Sequence, residues 1–203
     1  MSKLRSALAL VTLLSLLATT AEARNNRIAG NTELSGGIGF AADLARWTPG
    51  GFKWFNEFGY KLSRITWLNF QLNLVAGGGR GNCYFDNKGR YRCDNGWNRF
   101  GGTALEFAGG VKLKWRVSRA APVQLHAKFG GAMNLIWFGN FAGVAIGFRG
   151  GIGLRYFVIP TLGVGAELMT TLGPSFIKDD FNGNGGVEFY GAIDMNFGVE
   201  WRF

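Results

Sequence analysis

The sequence predicts an all-β chain that closes into an antiparallel, up-and-down transmembrane barrel of eight strands, with short periplasmic turns and longer extracellular loops. Three observations predict it. Apolar and polar residues alternate with a period of two in one segment after another, which gives strands with one greasy and one wet face. No segment presents a charged helical face. The first residues read as an export signal. Composition agrees, since 33 Gly, 18 Phe and 7 Trp beside only 4 Pro and 17% charged residues is unusual for a soluble domain.

Met1-Ser2-Lys3-Leu4-Arg5 supplies a positive start and Ala7 to Ala18 an apolar run. Ala21-Glu22-Ala23 completes a small-residue cleavage site, so residues 1–23 are expected to be a secretory signal peptide. The apolar run is shorter than the about 20 residues a spanning helix needs. The remainder suits one domain: a short periplasmic segment over 24–35, then a barrel over 36–203. Without Lys3, Arg5 and Glu22 the formal charge of +9 falls to about +8. In an exported chain that balance suits anionic lipid head groups rather than nucleic acid.

The strands follow in order. Gly37 to Leu44 is the first, with Ile38, Phe40, Ala42 and Leu44 on one side, and a loop holding Pro49-Gly50-Gly51 ends it. Trp54 to Leu62 is the second, with Phe58, Tyr60 and Leu62 outward and Glu57, Gly59 and Lys61 inward. After the tight Ser63-Arg64-Ile65 connection, Leu68, Phe70, Leu72 and Leu74 alternate with Asn69, Gln71 and Asn73 in the third. A long polar loop spans Gly77 to Gly102. The fourth strand sets Leu105, Phe107, Val111, Leu113, Trp115 and Val117 against Glu106, Lys112, Lys114 and Arg116. The fifth sets Val123, Leu125, Ala127, Phe129, Met133, Leu135 and Trp137 against Gln124, His126, Lys128 and Asn134. In the sixth, Val144, Ile146, Phe148, Ile152, Leu154 and Tyr156 oppose Arg149 and Arg155. In the seventh, Leu162, Val164, Ala166 and Leu168 oppose Gly163, Gly165 and Glu167. A polar loop, Lys178 to Gly186, leads to the eighth, Val187 to Phe203.

Phe129 to Phe148 is uncharged, long enough to span a bilayer as a helix, and carries Gly139, Gly143 and Gly147 at helix-packing spacing. Its five glycines, at about 1 kcal/mol each in a helix, favour a hairpin turning at Gly139-Asn140 instead. Tyr60, Trp67, Tyr156, Trp201 and Phe203 near the short turns, with Trp54 and Trp137 towards the loops, read as two aromatic girdles. A soluble sandwich or lipocalin-like barrel is the alternative arrangement, with the apolar face inward.

From Ile193 to Phe203 every second residue is apolar or aromatic, and Asp194, Asn196, Gly198, Glu200 and Arg202 lie between. This ending resembles the carboxy-terminal strand of Gram-negative outer-membrane β-barrels, in which a terminal Phe follows alternating apolar positions and an aromatic sits two residues before it. Phe203 and Trp201 match both positions. The chain is similar as a whole to the small eight-stranded barrels of the OmpA/OmpX/OmpW-like kind. The resemblance implies export to the outer membrane, where lipid and lipopolysaccharide are the surroundings. It also implies that Phe197, Val199, Trp201 and Phe203 form the signal read by the barrel-insertion machinery. Closure pairs the last strand with the first. A monomer is expected, without cofactor, metal or nucleic acid.

An eight-stranded lumen is filled by side chains rather than left open. The expected inward charges are Glu57, Lys61, Glu106, Lys112, Lys114, Arg116, Lys128, Arg149, Arg155, Glu167, Asp194, Glu200 and Arg202, with Asp43 and Glu188 towards the ends. Mixed signs suit interleaved ion pairs. Inward glycines such as Gly147, Gly151, Gly153, Gly163 and Gly165 either make room or permit tight curvature.

His126 is the only histidine. Outer-membrane lipid A-modifying enzymes pair His with Ser, and a deacylase pattern would put Ser two residues after His. Lys128 stands there instead, so no catalytic residue is assigned. Cys83 and Cys93 flank the turn signal Asn87-Lys88-Gly89-Arg90, and in an exported protein they are expected to form a disulfide. Arg80, Lys88, Arg90, Arg92 and Arg99 in that loop suit lipopolysaccharide phosphates. Asp179 to Gly186 lacks the ligand spacing of a calcium loop. The expected function is structural or surface-interacting. A narrow channel for small or hydrophobic solutes is the alternative, and a lipid A-modifying enzyme the third reading.

Overall fold

The computed structural model describes residues 30–45, 48–77, 83–85, 91–93, 102–117, 122–138, 141–179 and 185–203. The signal segment, the tip of the long loop and the Gly139-Asn140 turn lie outside them. The strands are β1 (Thr32–Asp43), β2 (Gly51–Lys61), β3 (Thr66–Ala76), β4 (Cys83–Phe85), β5 (Tyr91–Cys93), β6 (Thr103–Arg116), β7 (Val123–Phe138), β8 (Phe141–Ile159), β9 (Leu162–Asp179) and β10 (Gly185–Arg202). Eight of them close into one antiparallel barrel in the order β1-β10-β9-β8-β7-β6-β3-β2, and β4 pairs with β5 separately. Phe129 to Phe148 falls in β7 and β8, which pair from Val123↔Tyr156 to Phe138↔Phe141.

The seam is the β1–β10 ladder, running from Glu33↔Arg202 to Asp43↔Ala192. Ladder partners lead from Arg202 through Glu33, Gly59, Asn69, Gly110, Gly130, Arg149 and Thr171 back to β10 at Ala192, ten residues along the same strand. A stagger of ten over eight strands tilts them by about 40°, given a rise of about 3.3 Å per residue and about 4.8 Å between strands. At that tilt the shortest barrel strands, of 11 residues, stand about 27 Å tall. That matches the apolar band of a membrane barrel, about 25 Å.

Parity puts grease outside and charge inside. Phe40 is 63% exposed, Ile152 65% and Trp201 59%, while Lys112 and Glu200 are at 0%. A soluble barrel has the reverse arrangement. Outside, an apolar belt circles the wall, and a charged residue at its midplane would cost about 2–4 kcal/mol.

Beside the earlier start of β2 at Gly51, three departures from the sequence reading bear on the barrel. β1 begins at Thr32, ahead of residue 36, and brings Glu33 and Ser35 into the lumen. The Gly36-Gly37 pair blurs the alternation there because side chains do not fit: a Cβ at Gly37 would lie 2.1 Å from the Phe197 carbonyl oxygen. β9 continues to Asp179, past the mixed run Met169-Thr170-Thr171. No β8–β9 partners are recorded for Ile146 and Gly147 opposite Gly173 and Pro174, where proline has no N–H to give. Trp67 is the third. It shares its parity with Asn69, Gln71 and Asn73, so it points inward at 3% exposure rather than joining the girdle. Tyr60, Tyr156, Trp201 and Phe203 remain on the outside near the short turns, and Trp54 and Trp137 on the outside towards the loops.

Two main-chain bonds and one side-chain bond hold the Phe203 carbonyl. The Phe203 carbonyl oxygen accepts from Asn31 N (3.2 Å), Thr32 N (3.1 Å) and Thr32 Oγ1 (2.6 Å). Gly30 makes the approach with φ +95°, in the left-handed region, and a Cβ there would sit 2.8 Å from Phe203 N. In brominated-lipid vesicles, a chain keeping Trp67 as its only tryptophan should retain its fluorescence, while one keeping only Trp201 should be quenched. Steady-state quenching measures both.

Candidate functional site

The lumen carries the chemistry of this chain. Inward positions of all eight barrel strands supply polar or charged groups, because the lipid-facing parity leaves them nowhere else. Among the described residues, six carboxylates (Glu33, Glu57, Glu106, Glu167, Asp194, Glu200) and seven cations (Lys53, Lys112, Lys114, Lys128, Arg149, Arg155, Arg202) are buried there.

They form two connected groups. In the half nearer the short turns, Lys112 Nζ lies 2.8 Å from Glu33, 2.7 Å from Glu57 and 3.4 Å from Glu200. Lys114 pairs with Glu33 and, at 3.6 Å, with Glu200. Lys128 bridges Glu57 and Glu167, the latter at 2.6 Å. Arg155 reaches Glu167 and Glu200 at 3.5 Å each, and Arg202 meets Glu200 at 2.6 Å. In the half nearer the loops, Lys53 and Arg149 share Glu106 and Asp194 at 2.5–3.4 Å. Gln71 joins the halves: its Nε2 donates to Glu57 (2.8 Å) and its Oε1 accepts from Arg149 Nε (3.1 Å). Removing one member of such a set strands charge in a dry interior, which costs about 3–5 kcal/mol.

Each end of the network has a lid. Towards the short turns, Lys114 Nζ sits 3.9 Å over the Trp67 ring and the Arg202 guanidinium 4.5 Å over the Phe157 ring, both cation–π stacks. Towards the loops lies an apolar layer of Ala41, Val75, Ala104, Ile136, Ala145, Tyr190 and Ala192.

The glycines divide between the two expected roles. A Cβ at Gly147, Gly151 or Gly165 would come within 2.0–2.3 Å of a carbonyl oxygen on the next strand, so these permit curvature. A Cβ at Gly153 would strike the His126 ring at 2.5 Å, and one at Gly163 the Phe157 ring at 3.1 Å, so these make room for side chains.

Of the charges expected inward, Glu57, Glu106, Lys112, Lys114, Lys128, Arg149, Arg155, Glu167, Asp194, Glu200 and Arg202 lie buried in the network. Lys61 does not: it ends β2 half-exposed at the rim, and no ion pair is recorded for it. Arg116 is likewise half-exposed at the rim, Asp43 is half-buried at the other with one carboxylate oxygen enclosed, and Glu188 is exposed. Lys53 and Glu33 were missed, although each has the inward parity of its strand once the strand is extended by a few residues. His126 is buried, with Nε2 3.4 Å from Glu167, and among the described residues no hydroxyl bonds it. Lys128, two residues on, is held by Glu57 and Glu167. No group of carboxylates, His or Cys among the described residues could hold a metal.

Cys83 stands opposite Cys93 in the β4–β5 register. Arg92 lies on β5, while Arg80, Lys88, Arg90 and Arg99 lie outside the described residues.

No protein-family model matches the chain, and no curated protein matches it. Solved structures do. The outer membrane protein OprG from Pseudomonas aeruginosa is similar at a TM-score of 0.55 and 10% identity, over 87% of this chain and 98% of that one. A major outer membrane protein from Thermus thermophilus is similar at 0.52 and 13%, over 85% and 99%. At these identities the likeness is one of fold. Taken with the apolar belt and the charged interior, it makes this protein an eight-stranded outer-membrane β-barrel.

Proposed function

We propose that the barrel is a sealed anchor that presents its loops at the outer face of the membrane, and that nothing passes through its lumen. One observation carries this reading: paired side chains run without a break from Arg202 through Glu200, Lys112, Glu57, Gln71 and Arg149 to Asp194 and Lys53. The stacked Trp67 and Phe157 and the apolar layer close the two ends.

The working surface is then the long loop between β3 and β6. Its arginines and lysines, Arg80, Lys88, Arg90, Arg92 and Arg99, match the phosphates of lipopolysaccharide in charge, and arginine forks suit bidentate phosphate contact. The facing register of Cys83 and Cys93 supports a disulfide that would staple the base of this hairpin. The lipid A-modifying reading has no support at His126, whose recorded partner is a carboxylate already shared with Lys128 and Arg155.

Planar-bilayer recordings of the purified chain should show no sustained conductance; stable openings would replace this reading with the passive channel. Lys112→Met, which takes one cation from Glu33, Glu57 and Glu200 and leaves each with its other partners, should lower the free energy of unfolding in urea by about 1–3 kcal/mol. Reversing Arg90 and Arg92 to Glu should weaken binding to lipopolysaccharide-containing vesicles and flatten its salt dependence, with the tryptophan emission of the barrel unchanged.

A further inference from the structure

The apolar belt has a carboxamide in it. Asn56 is the middle residue of β2, whose 11 residues run from Gly51 to Lys61, so it stands at mid-height of the wall. Along that strand Lys53, Phe55 and Glu57 are buried in the lumen, while Phe52, Trp54, Phe58 and Tyr60 are exposed on the outside. Asn56 has the parity of the second set and is half-buried on the outer face between Trp54 and Phe58. Away from the strand ends, the outward positions of the described barrel strands are otherwise apolar or glycine, Thr170 on β9 excepted.

Nothing around Asn56 can satisfy it. A carboxamide has an acceptor oxygen and two N–H donors. Among the described residues the Asn56 side chain makes no hydrogen bond. Its ladder partners are Gly36 on β1 and Leu72 on β3. Acyl chains offer nothing to bond, and water does not reach the middle of a bilayer. An amide left unmet in such surroundings is costly. The lone barrel expected from the sequence leaves it so.

The wall beside the amide is bare. Gly36 puts no side chain where it faces Asn56, and a Cβ there would lie 3.2 Å from Asn56 Oδ1. The amide therefore leans across the β1 backbone. Leu34 pairs with Phe58 below this gap and Ile38 with Trp54 above it, and all four are exposed. The gap has an apolar frame around a polar group.

Height selects the occupant. Two copies of this chain share one orientation in the membrane, so a two-fold axis between them runs along the bilayer normal. Rotation about that axis preserves height, and a group at mid-height meets its own counterpart. Two carboxamides satisfy one another, each donating to the oxygen of the other. An acyl chain offers no such partner.

We propose that the outer face of β1 and β2 is a homodimer interface, in which the Asn56 amides of two barrels pair across the two-fold axis. Gly36 lets the two walls approach, and Leu34, Ile38, Trp54 and Phe58 pack around the amide pair. The interface adds a second copy to the anchor and leaves each lumen as it is.

Energy transfer between donor- and acceptor-labelled chains, diluted stepwise in phosphatidylcholine vesicles, measures the pairing. The unaltered chain should dimerise, and Asn56→Leu should raise its dissociation constant by about tenfold while the tryptophan emission of the folded barrel is kept. Thr170→Val removes the other outward polar group, three strands away, and should leave the constant unchanged. A chain that stays monomeric at every dilution overturns the proposal. So does an unaltered constant for Asn56→Leu, or an equal loss in Thr170→Val. Should Asn56→Leu fail to insert, Asn56→Ala is read by the same criteria.

Discussion

Lipid cannot hydrogen-bond a peptide group, and that constraint sets everything else in this molecule. Each barrel strand must find a partner on both sides, so the sheet has to close. Eight strands staggered by ten residues give a narrow tube, and a narrow tube leaves little space for anything but side chains. The parity that turns Phe40, Ile152 and Trp201 towards lipid turns every other position inward. Close packing thus forces the inward residues to solve one another's electrostatics.

They do so mostly across the lumen, the Arg202–Glu200 pair along β10 apart. Lys112 on β6 meets acids from β1, β2 and β10, and Lys128 on β7 meets acids from β2 and β9. Contacts of this reach depend on long side chains meeting near the axis and on glycines that yield space to them. Gly153 gives way to His126, Gly163 to Phe157, and Gly59 to Glu33, whose carboxyl oxygen would lie 2.6 Å from an added Cβ. The filling of the tube and the pairing of its charges are one arrangement.

Much of this was legible in the sequence, because period-two alternation is a statement about faces. Strand count and the inward set from Glu57 to Arg202, Lys61 and Arg116 excepted, follow from parity, and the seam partner of β10 follows from closure. What parity alone could not supply were strand limits and the fate of aromatic residues at inward positions. Glu33 and Lys53 lay just beyond the first clear alternating residue of their strands, so they looked like loop. Trp67 looked like a girdle tryptophan because of its place beside a turn, although its phase matched Asn69 and Gln71. A large ring faces inward there because Lys114 and Arg202 supply cations to stack on it. The gap where Gly36 faces Asn56 needs the register between two strands, which no single segment encodes.

The seam between β1 and β10 has a second fastening that the hydrogen-bond ladder does not reveal. Glu33 and Glu200, one on each seam strand, both reach Lys112 and Lys114 on β6, on the far side of the tube. In an opened sheet β6 would lie several strands from either edge, and none of these contacts would survive. Closing the last ladder and neutralising the interior are therefore a single event. A partly assembled barrel has little to gain until its ends meet, and a closed one cannot come apart at the seam one bond at a time. The tube is latched from within, which favours a slow, all-or-none opening over gradual fraying.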